Sequence, residues 1–364
     1  CKKYNIKKPL IVTDPGIVKA GLLTQVQKHL SSLEVSVFDQ TPSNPTESAV
    51  QSAVALCKKN GCDGLIALGG GSSIDCAKGI AILATHPGEL KTYATIEGGS
   101  DLITARVLPL IAVPTTAGTG SEVARGAILI VHDGRKLGFH SWHLVPKVAL
   151  LDPELTLELP PLLTAATGMD AIAHCMETFM APSFNPPADA IALEGLRRGW
   201  SHIERATQSG ADKEARLNMM CASMQGAMAF QKGLGCVHSL SHSLGGVNPG
   251  LHHGTLNAVF LPSVVRFNSQ AESIQKDSRL IRMAQTMGLD LGRATTNQSA
   301  CEAIEAAIKA MNKVLGLPGG LAQMGVEQSM FPKIIKGAMA DHCHKTNPRI
   351  ATEQDYTQML MDSM

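Results

Sequence analysis

Leu65-Ile66-Ala67-Leu68-Gly69-Gly70-Gly71-Ser72-Ser73 joins an apolar run to three successive glycines and then to a helical stretch carrying Asp75 and Lys78. The run has the length and composition of a strand buried on both faces. Glycines after it let the backbone approach a ligand without Cβ collision, and the free N–H groups and dipole at a helix start favour anionic oxygens. A strand, a glycine turn and a helix in that order predict a βα unit with a phosphate cradle at Gly70, Gly71 and Ser72. The turn is not a GxGxxG fingerprint, and a plain tight βα connection fits the same residues.

Outward from this unit, short β-rich runs alternate with helical stretches up to about residue 152. Strands are predicted at 9–13, 34–38, 64–68, 108–113, 127–131 and 148–151, with helices at 16–30, 46–60 and 73–84. This alternation argues for a largely parallel sheet. Beyond Asp152-Pro153 the β signal fades, and helices are predicted at 162–180, 188–206, 213–230, 254–267, 272–287 and 297–315. The expected architecture is an α/β Rossmann-like domain over 1–155 followed by an all-α domain over 156–364.

A second turn follows the strand Leu110-Ile-Ala-Val113, with the sequence Pro114-Thr115-Thr116-Ala117-Gly118-Thr119-Gly120-Ser121-Glu122. Thr115, Thr116, Thr119 and Ser121 can donate to phosphate, ribose or carboxamide, or can satisfy their own backbone. Ligands of open α/β sheets bind beyond the carboxyl ends of strands, where both turns belong. Asp39 ends the second predicted strand, where a carboxylate accepts from adenosine-ribose hydroxyls and repels a 2′-phosphate. The expected cofactor is NAD.

The helical half carries a different signal: Asp170-Ala-Ile-Ala-His174, His238-Ser-Leu-Ser-His242 and His252-His253-Gly254. A spacing of four sets two side chains on one helix face. A charged group among small apolar neighbours is costly to bury unless it is paired or metal-bound. A simple Asp–His hydrogen bond, or a histidine pair lining a helix interface, fits each segment alone. Together the segments offer an N3O donor set suited to Fe(II) or Zn(II) with positions left open for a substrate oxygen. Glu177, a turn beyond His174, is a candidate acceptor behind a ligand. His342-Cys343-His344 also has a site-like composition, but its tight spacing and polar surroundings predict a surface loop.

The chain has 364 residues, 44% of them hydrophobic, enough for two cores. With 32 basic and 31 acidic residues it generates no field for nucleic acid or an anionic membrane, so a small-molecule partner is expected. No apolar run reaches a membrane span, the opening residues lack a signal-peptide core, and nine scattered cysteines form no framework. A cytoplasmic location and a homodimer are the corresponding expectations.

Taken in order, Gly69-Gly-Gly-Ser-Ser-Ile-Asp-Cys-Ala-Lys78, Pro114-Thr-Thr-Ala-Gly-Thr-Gly-Ser-Glu-Val123, Gly168-Met-Asp-Ala-Ile-Ala-His174 and His253-Gly-Thr-Leu-Asn-Ala258 resemble the iron-containing (group III) alcohol dehydrogenases over nearly the whole chain. The resemblance implies a dehydroquinate synthase-like two-domain architecture with metal and nicotinamide meeting in a cleft. It implies Asp170, His174, His238 and the histidine before the helix glycine as metal ligands. By the same likeness Gly70, Gly71, Ser72 and Asp75 belong to the cofactor-binding motif, His242 stands near the nicotinamide, and Lys136 contacts the cofactor. Counting from His238 selects His252 as the fourth ligand, whereas anchoring on Gly254 selects His253. The helix start fixes direction, so His253 is preferred, leaving His242 and His252 as candidates to relay the proton.

The expected reaction is NAD-dependent, metal-assisted hydride transfer between a primary alcohol and its aldehyde. The alternatives are a dehydrogenase of a small hydroxyacid of the 4-hydroxybutyrate type and a non-catalytic metal-binding protein. Arg125 is the residue noted for a substrate carboxylate.

Overall fold

The computed structural model describes residues 1–292 and 295–364 and divides the chain into two compact units. The first comprises Cys1–Thr116 with Gly120–Glu158, and the second comprises Ala117–Thr119 with Leu159–Met364.

In the first unit, β1 (Pro9–Val12), β2 (Ser36–Phe38), β3 (Gly64–Gly69), β4 (Leu110–Pro114) and, after the β5–β6 ribbon described below, β7 (Val148–Ala149) form one parallel sheet in the order β2-β1-β3-β4-β7. Its central strands are buried along their whole length because both faces are covered. The pleat sends Leu10, Val12, Leu65 and Ala67 into one core with α3 (Glu47–Lys59) and α4 (Gly71–Leu83). Ile11, Ile66, Leu68, Ile111 and Val113 enter the core on the other face, against Leu22, Leu23 and Val26. The chain reverses its direction of travel across the sheet between β1 and β3, a topological switch point of the kind at which open α/β sheets bind ligands.

Three expectations need correction here. The helix predicted over 16–30 is broken into α1 (Pro15–Lys19), α2 (Leu22–Gln27) and a 3-10 turn, because Gly21 adopts a left-handed φ of 75°. The strand predicted at 127–131 lies outside the parallel sheet: β5 (Gly126–Ile130) pairs antiparallel with β6 (Lys136–His140) in a separate ribbon. β6 was not foreseen, because its polar start masks an alternating pattern in which only Leu137 and Phe139 are buried.

The second unit is helical: α5 (Pro161–Met180), α6 (Pro186–Gln208), α7 (Lys213–Ala229), α8 (Cys236–Val247), α9 (His253–Asn268), α10 (Glu272–Lys276), α11 (Arg279–Thr286), α12 (Asn297–Val314), α13 (Phe331–Ala340) and α14 (Glu353–Asp362). The single helix predicted over 272–287 is therefore two, parted at Ser278, whose φ of 50° interrupts the spiral. No helix among the described residues is long and apolar enough to cross a membrane.

Helix α5 is the centre of this unit, buried without interruption from Thr164 to Met180 apart from Thr167. A helix apolar on all sides belongs in a core, so each of its charged residues must find a partner. At its C-terminal end the carbonyls of Thr178 and Phe179 accept from Lys232 Nζ at 3.0 and 3.3 Å, and Arg279 also donates to Phe179. Both cations meet the carboxylate of Asp189, at 2.6 and 3.2 Å.

Candidate functional site: a phosphate cradle and a carboxylate ringed by imidazoles

Gly70 precedes the first turn of α4 as its N-cap, with Gly71 and Ser72 opening the helix at the carboxyl end of β3. Gly69 has φ 150°, and a Cβ there would come 2.5 Å from Ser73 Oγ, so this turn can be built only from glycine. Across the switch point Asp14 caps α1 by accepting from Gly16 and Ile17, and its second oxygen lies 3.2 Å from Ser73 Oγ. Thr115 is tied to the turn by its N–H to the Gly69 carbonyl (3.1 Å), and Thr116 packs against Gly70. Asp39 follows β2 at the same edge of the sheet and is half-buried.

Other residues named for the cofactor take different positions. Asp75 points inside, accepting from Ser121 Oγ (2.6 Å) and from Ile128 N (2.9 Å), and burial raises its carboxyl above the ordinary value. Ser121 is thereby engaged within the first unit, whereas Thr119 is exposed and groups with the second. Lys136 lies on β6 and donates to Asn44 Oδ1 at 3.0 Å. Lys78, fully buried, donates to Ser121 O, Ser121 Oγ, Ala124 O and Gly126 O at 2.6–2.9 Å. It fastens the loop after Gly120 to α4. Burial lowers its ammonium to about 8 against the pull of Asp75 and Glu122, and burial raises the neighbouring Glu122 to about 7.

In the second unit four side chains from three helices converge. Asp170 Oδ1 lies 3.7 Å from His174 Nε2, 3.6 Å from His238 Nε2 and 3.5 Å from His253 Nε2. A tetrahedron of donors around a cation with bonds near 2.1 Å has edges of about 3.4 Å, close to these three separations, and Asp170, His238 and His253 present donor atoms within 4.8 Å of one another. The rings of His174 and His238 stack at 4.6 Å. Burial alone would raise the Asp170 carboxyl, but the three surrounding imidazoles hold it well below the usual carboxylate range. Burial lowers the His174 imidazole to about 4, which favours the neutral, ligating form.

Glu177, one turn along α5 from His174, accepts from Val237 N at 2.7 Å and from His238 Nδ1 at 2.5 Å. That bond leaves the Nε2 lone pair of His238 facing Asp170, the arrangement a metal ligand needs. Burial opposes charge on His238, yet the carboxylates of Asp170 and Glu177 outweigh burial and raise the imidazole to about 9, so its Nε2 ligates only when a cation displaces the proton there.

Backbone packing gives the adjacent histidines different positions. A Cβ at Gly254 would collide with the carbonyl oxygen of Ala166, so only glycine lets α9 begin against α5. The first residue of α9, His253, is thereby carried to Asp170, while His252 caps the helix from an exposed position. His242 stands outside the donor set: its ring stacks on that of His253 at 5.2 Å, and its Nδ1 bonds Asp341 Oδ2 at 3.0 Å.

Two residues of this centre were not foreseen. Asn257 Nδ2 donates to Asp170 Oδ1 at 2.7 Å and lies 3.1 Å from His253 Nε2, and its place four residues after His253 on one helix face was the available signal. Asp341, 99 positions from His242, left no local signal at all. The segment predicted as a surface loop is instead a 3-10 turn, His342–Thr346, in which Cys343 and His344 are buried, His344 through a bond to Tyr356 Oη.

A parallel sheet with a glycine-ended strand feeding a helix, and a buried carboxylate ringed by imidazoles of metal-site dimensions, define a metal-dependent, dinucleotide-using oxidoreductase. Residues 1–153 match the model of the iron-containing alcohol dehydrogenases, and residues 164–364 match that of the C-terminal region of the Fe-containing alcohol dehydrogenase family. The chain belongs to the iron-containing alcohol dehydrogenase family. It is 63% identical to a 4-hydroxybutyrate dehydrogenase of Cupriavidus necator, over 100% of this chain and 94% of the relative. It is 36% identical to an NAD-dependent methanol dehydrogenase of Bacillus methanolicus with the same coverage. An alcohol dehydrogenase structure from Oenococcus oeni superposes with a TM-score of 0.92 at 31% identity, over 100% of this chain and 94% of that one. The chain is thus a metal-dependent NAD oxidoreductase.

Proposed function

We propose that this enzyme interconverts 4-hydroxybutyrate, or a hydroxyacid of similar length, with its aldehyde, using NAD and Fe(II). The reading rests on one observation above all, the three imidazole nitrogens within 3.7 Å of a single oxygen of Asp170. The substrate class is supported by the relative of 63% identity that bears that activity's name. The iron-containing character of the family favours Fe(II) over Zn(II).

In this reading Asp170, His174, His238 and His253 would hold the cation, with Glu177 bound to Nδ1 of His238 so that Nε2 is the nitrogen offered to it. When bound, the cation would supply Lewis acidity to the substrate hydroxyl and NAD would supply a hydride acceptor. Asp39, Gly70, Gly71, Ser72, Thr115 and Thr116 bind the dinucleotide, at the carboxyl end of the sheet. The hydroxyl proton must leave, and His242 is suited to carry it: a carboxylate orients its Nδ1, and its side chain is 36% exposed. Arg125, whose guanidinium lies 5.0 Å over the ring of Trp142, is the residue proposed to meet the substrate carboxylate. Nine free cysteines suit a reducing cytoplasm, and a homodimer is part of the reading.

The test compares 4-hydroxybutyrate with 1-butanol in wild type, Asp170→Ala and Arg125→Gln. Asp170→Ala should lose metal and turnover while still binding NADH. Arg125→Gln should raise KM for the hydroxyacid and leave 1-butanol unaffected. Turnover in metal-stripped Asp170→Ala refutes the metal role, and an unchanged hydroxyacid preference in Arg125→Gln refutes the arginine.

A further inference from the structure

Helices α8 and α13 pack so closely that a Cβ at Gly337 would collide with Ser243 Oγ, which itself donates to the Ile334 carbonyl at 2.6 Å. This contact brings Asp341, the residue that ends α13, to the histidine on α8 that the metal centre leaves over. His242 Nδ1 lies 3.0 Å from Asp341 Oδ2, and Asp341 Oδ1 accepts from the backbone N–H of Cys343 at 2.8 Å. One donor atom from each of His242, Asp341 and Cys343 falls within 4.8 Å of the other two, and His342 Nε2 lies 3.4 Å from Cys343 Sγ. Imidazole, carboxylate and thiol converge on one point from two elements far apart in sequence.

We propose that His242, Asp341 and Cys343 form a second cation site, selective for Zn(II), and that zinc bound there arrests turnover. The donor set is softer than that of Asp170 and its three histidines, because it includes sulfur. Thiolate with imidazole suits zinc, whereas Fe(II) gains less from such a set in competition with it. Rotation of the partly exposed His242 ring closes the remaining separation. Zinc takes Cys343 as the thiolate, and the thiol proton passes to solvent. The arrest rests on the role given to His242 above: with its nitrogen and the Asp341 carboxylate both engaged, the imidazole is no longer oriented to carry a proton. The ring stacked on His253 is thus the link between the two sites.

The experiment loads the enzyme anaerobically with Fe(II), titrates Zn(II), and measures bound zinc, retained iron and rate together. Wild type should bind one zinc per subunit beyond its iron, keep that iron, and slow more than about tenfold. Cys343→Ala and Asp341→Asn should each weaken this second zinc more than about tenfold, and the rate of Cys343→Ala should no longer respond to it. Inhibition that tracks iron release, or an unchanged second equivalent in Cys343→Ala, overturns the site. Zinc that binds through Cys343 without slowing the enzyme overturns the arrest, whereas a chain inactive before any zinc is added defeats the functional reading instead. Co(II) gives a readout that needs no variant: its second equivalent in wild type should produce a thiolate-to-metal charge-transfer band, and absence of the band counts against the site.

Discussion

Glu177 Oε2 lies 2.5 Å from Nδ1 of His238, while the other carboxylate oxygen holds the backbone N–H of Val237 at 2.7 Å. One residue of α5 thus sets both the tautomer of a histidine on α8 and the position of that helix's first turn. Removing such a partner typically costs 10–100-fold in metal affinity. Glu177→Gln, which keeps an acceptor, should weaken the metal by about tenfold, and Glu177→Ala by about a hundredfold. Competition with a chelator of known affinity measures both, and equal loss in the two variants contradicts the role of the acceptor.

Gly254→Ala tests the packing that selects His253. The new methyl must push α9 away from the Ala166 carbonyl, at an overpacking cost of about 1–3 kcal/mol. Metal stoichiometry should fall while NADH fluorescence enhancement persists. A variant that keeps its full metal complement shows that another residue supplies the fourth donor.

Asp189→Ala should destabilise the second unit by about 3–5 kcal/mol, because it leaves two cations without their shared carboxylate at the end of α5. Lys232 Nζ is 2.6 Å and Arg279 3.2 Å from that group. Urea denaturation read by tryptophan fluorescence and circular dichroism gives the value, and a loss below about 1 kcal/mol would place the pair in the surface class.

Glu122 makes stability depend on pH with a definite sign. Burial raises its carboxyl from 4.5 to about 7 in the folded chain. Between these values the folded protein retains a proton that the unfolded chain has released, so stability falls as pH rises through that window. Lys78, lowered to about 8, acts in the opposite sense and only at higher pH. Glu122→Gln should remove the fall, leaving the variant more stable than wild type at pH 8 by about 1–3 kcal/mol. Parallel denaturation curves of the two proteins from pH 4.5 to pH 8 would contradict this.

Local patterns were enough for much of this protein. The apolar run before Gly69, the spacing of four between Asp170 and His174, and the loss of β signal after Asp152 each depend on neighbours along the chain. Strand and helix periods are local properties, and so is a glycine turn that no other residue could form. Where the expectation failed, the reason was equally physical. Gly21 and Ser278 break helices through backbone conformations that the surrounding pattern hides, and β6 exists only because β5 is there to pair with it.

By itself the sequence determined the two-domain class and supplied the glycine turn and the candidate donors Asp170, His174 and His238, since all of these are written in residue type and short spacing. Only the tertiary structure set His253 rather than His252 beside Asp170, turned Asp75 inward, brought Asp341 to His242 and buried Cys343. These outcomes depend on how closely helices approach, and that distance is set by contacts such as Gly254 on Ala166 and Gly337 on Ser243, between segments that no local pattern relates.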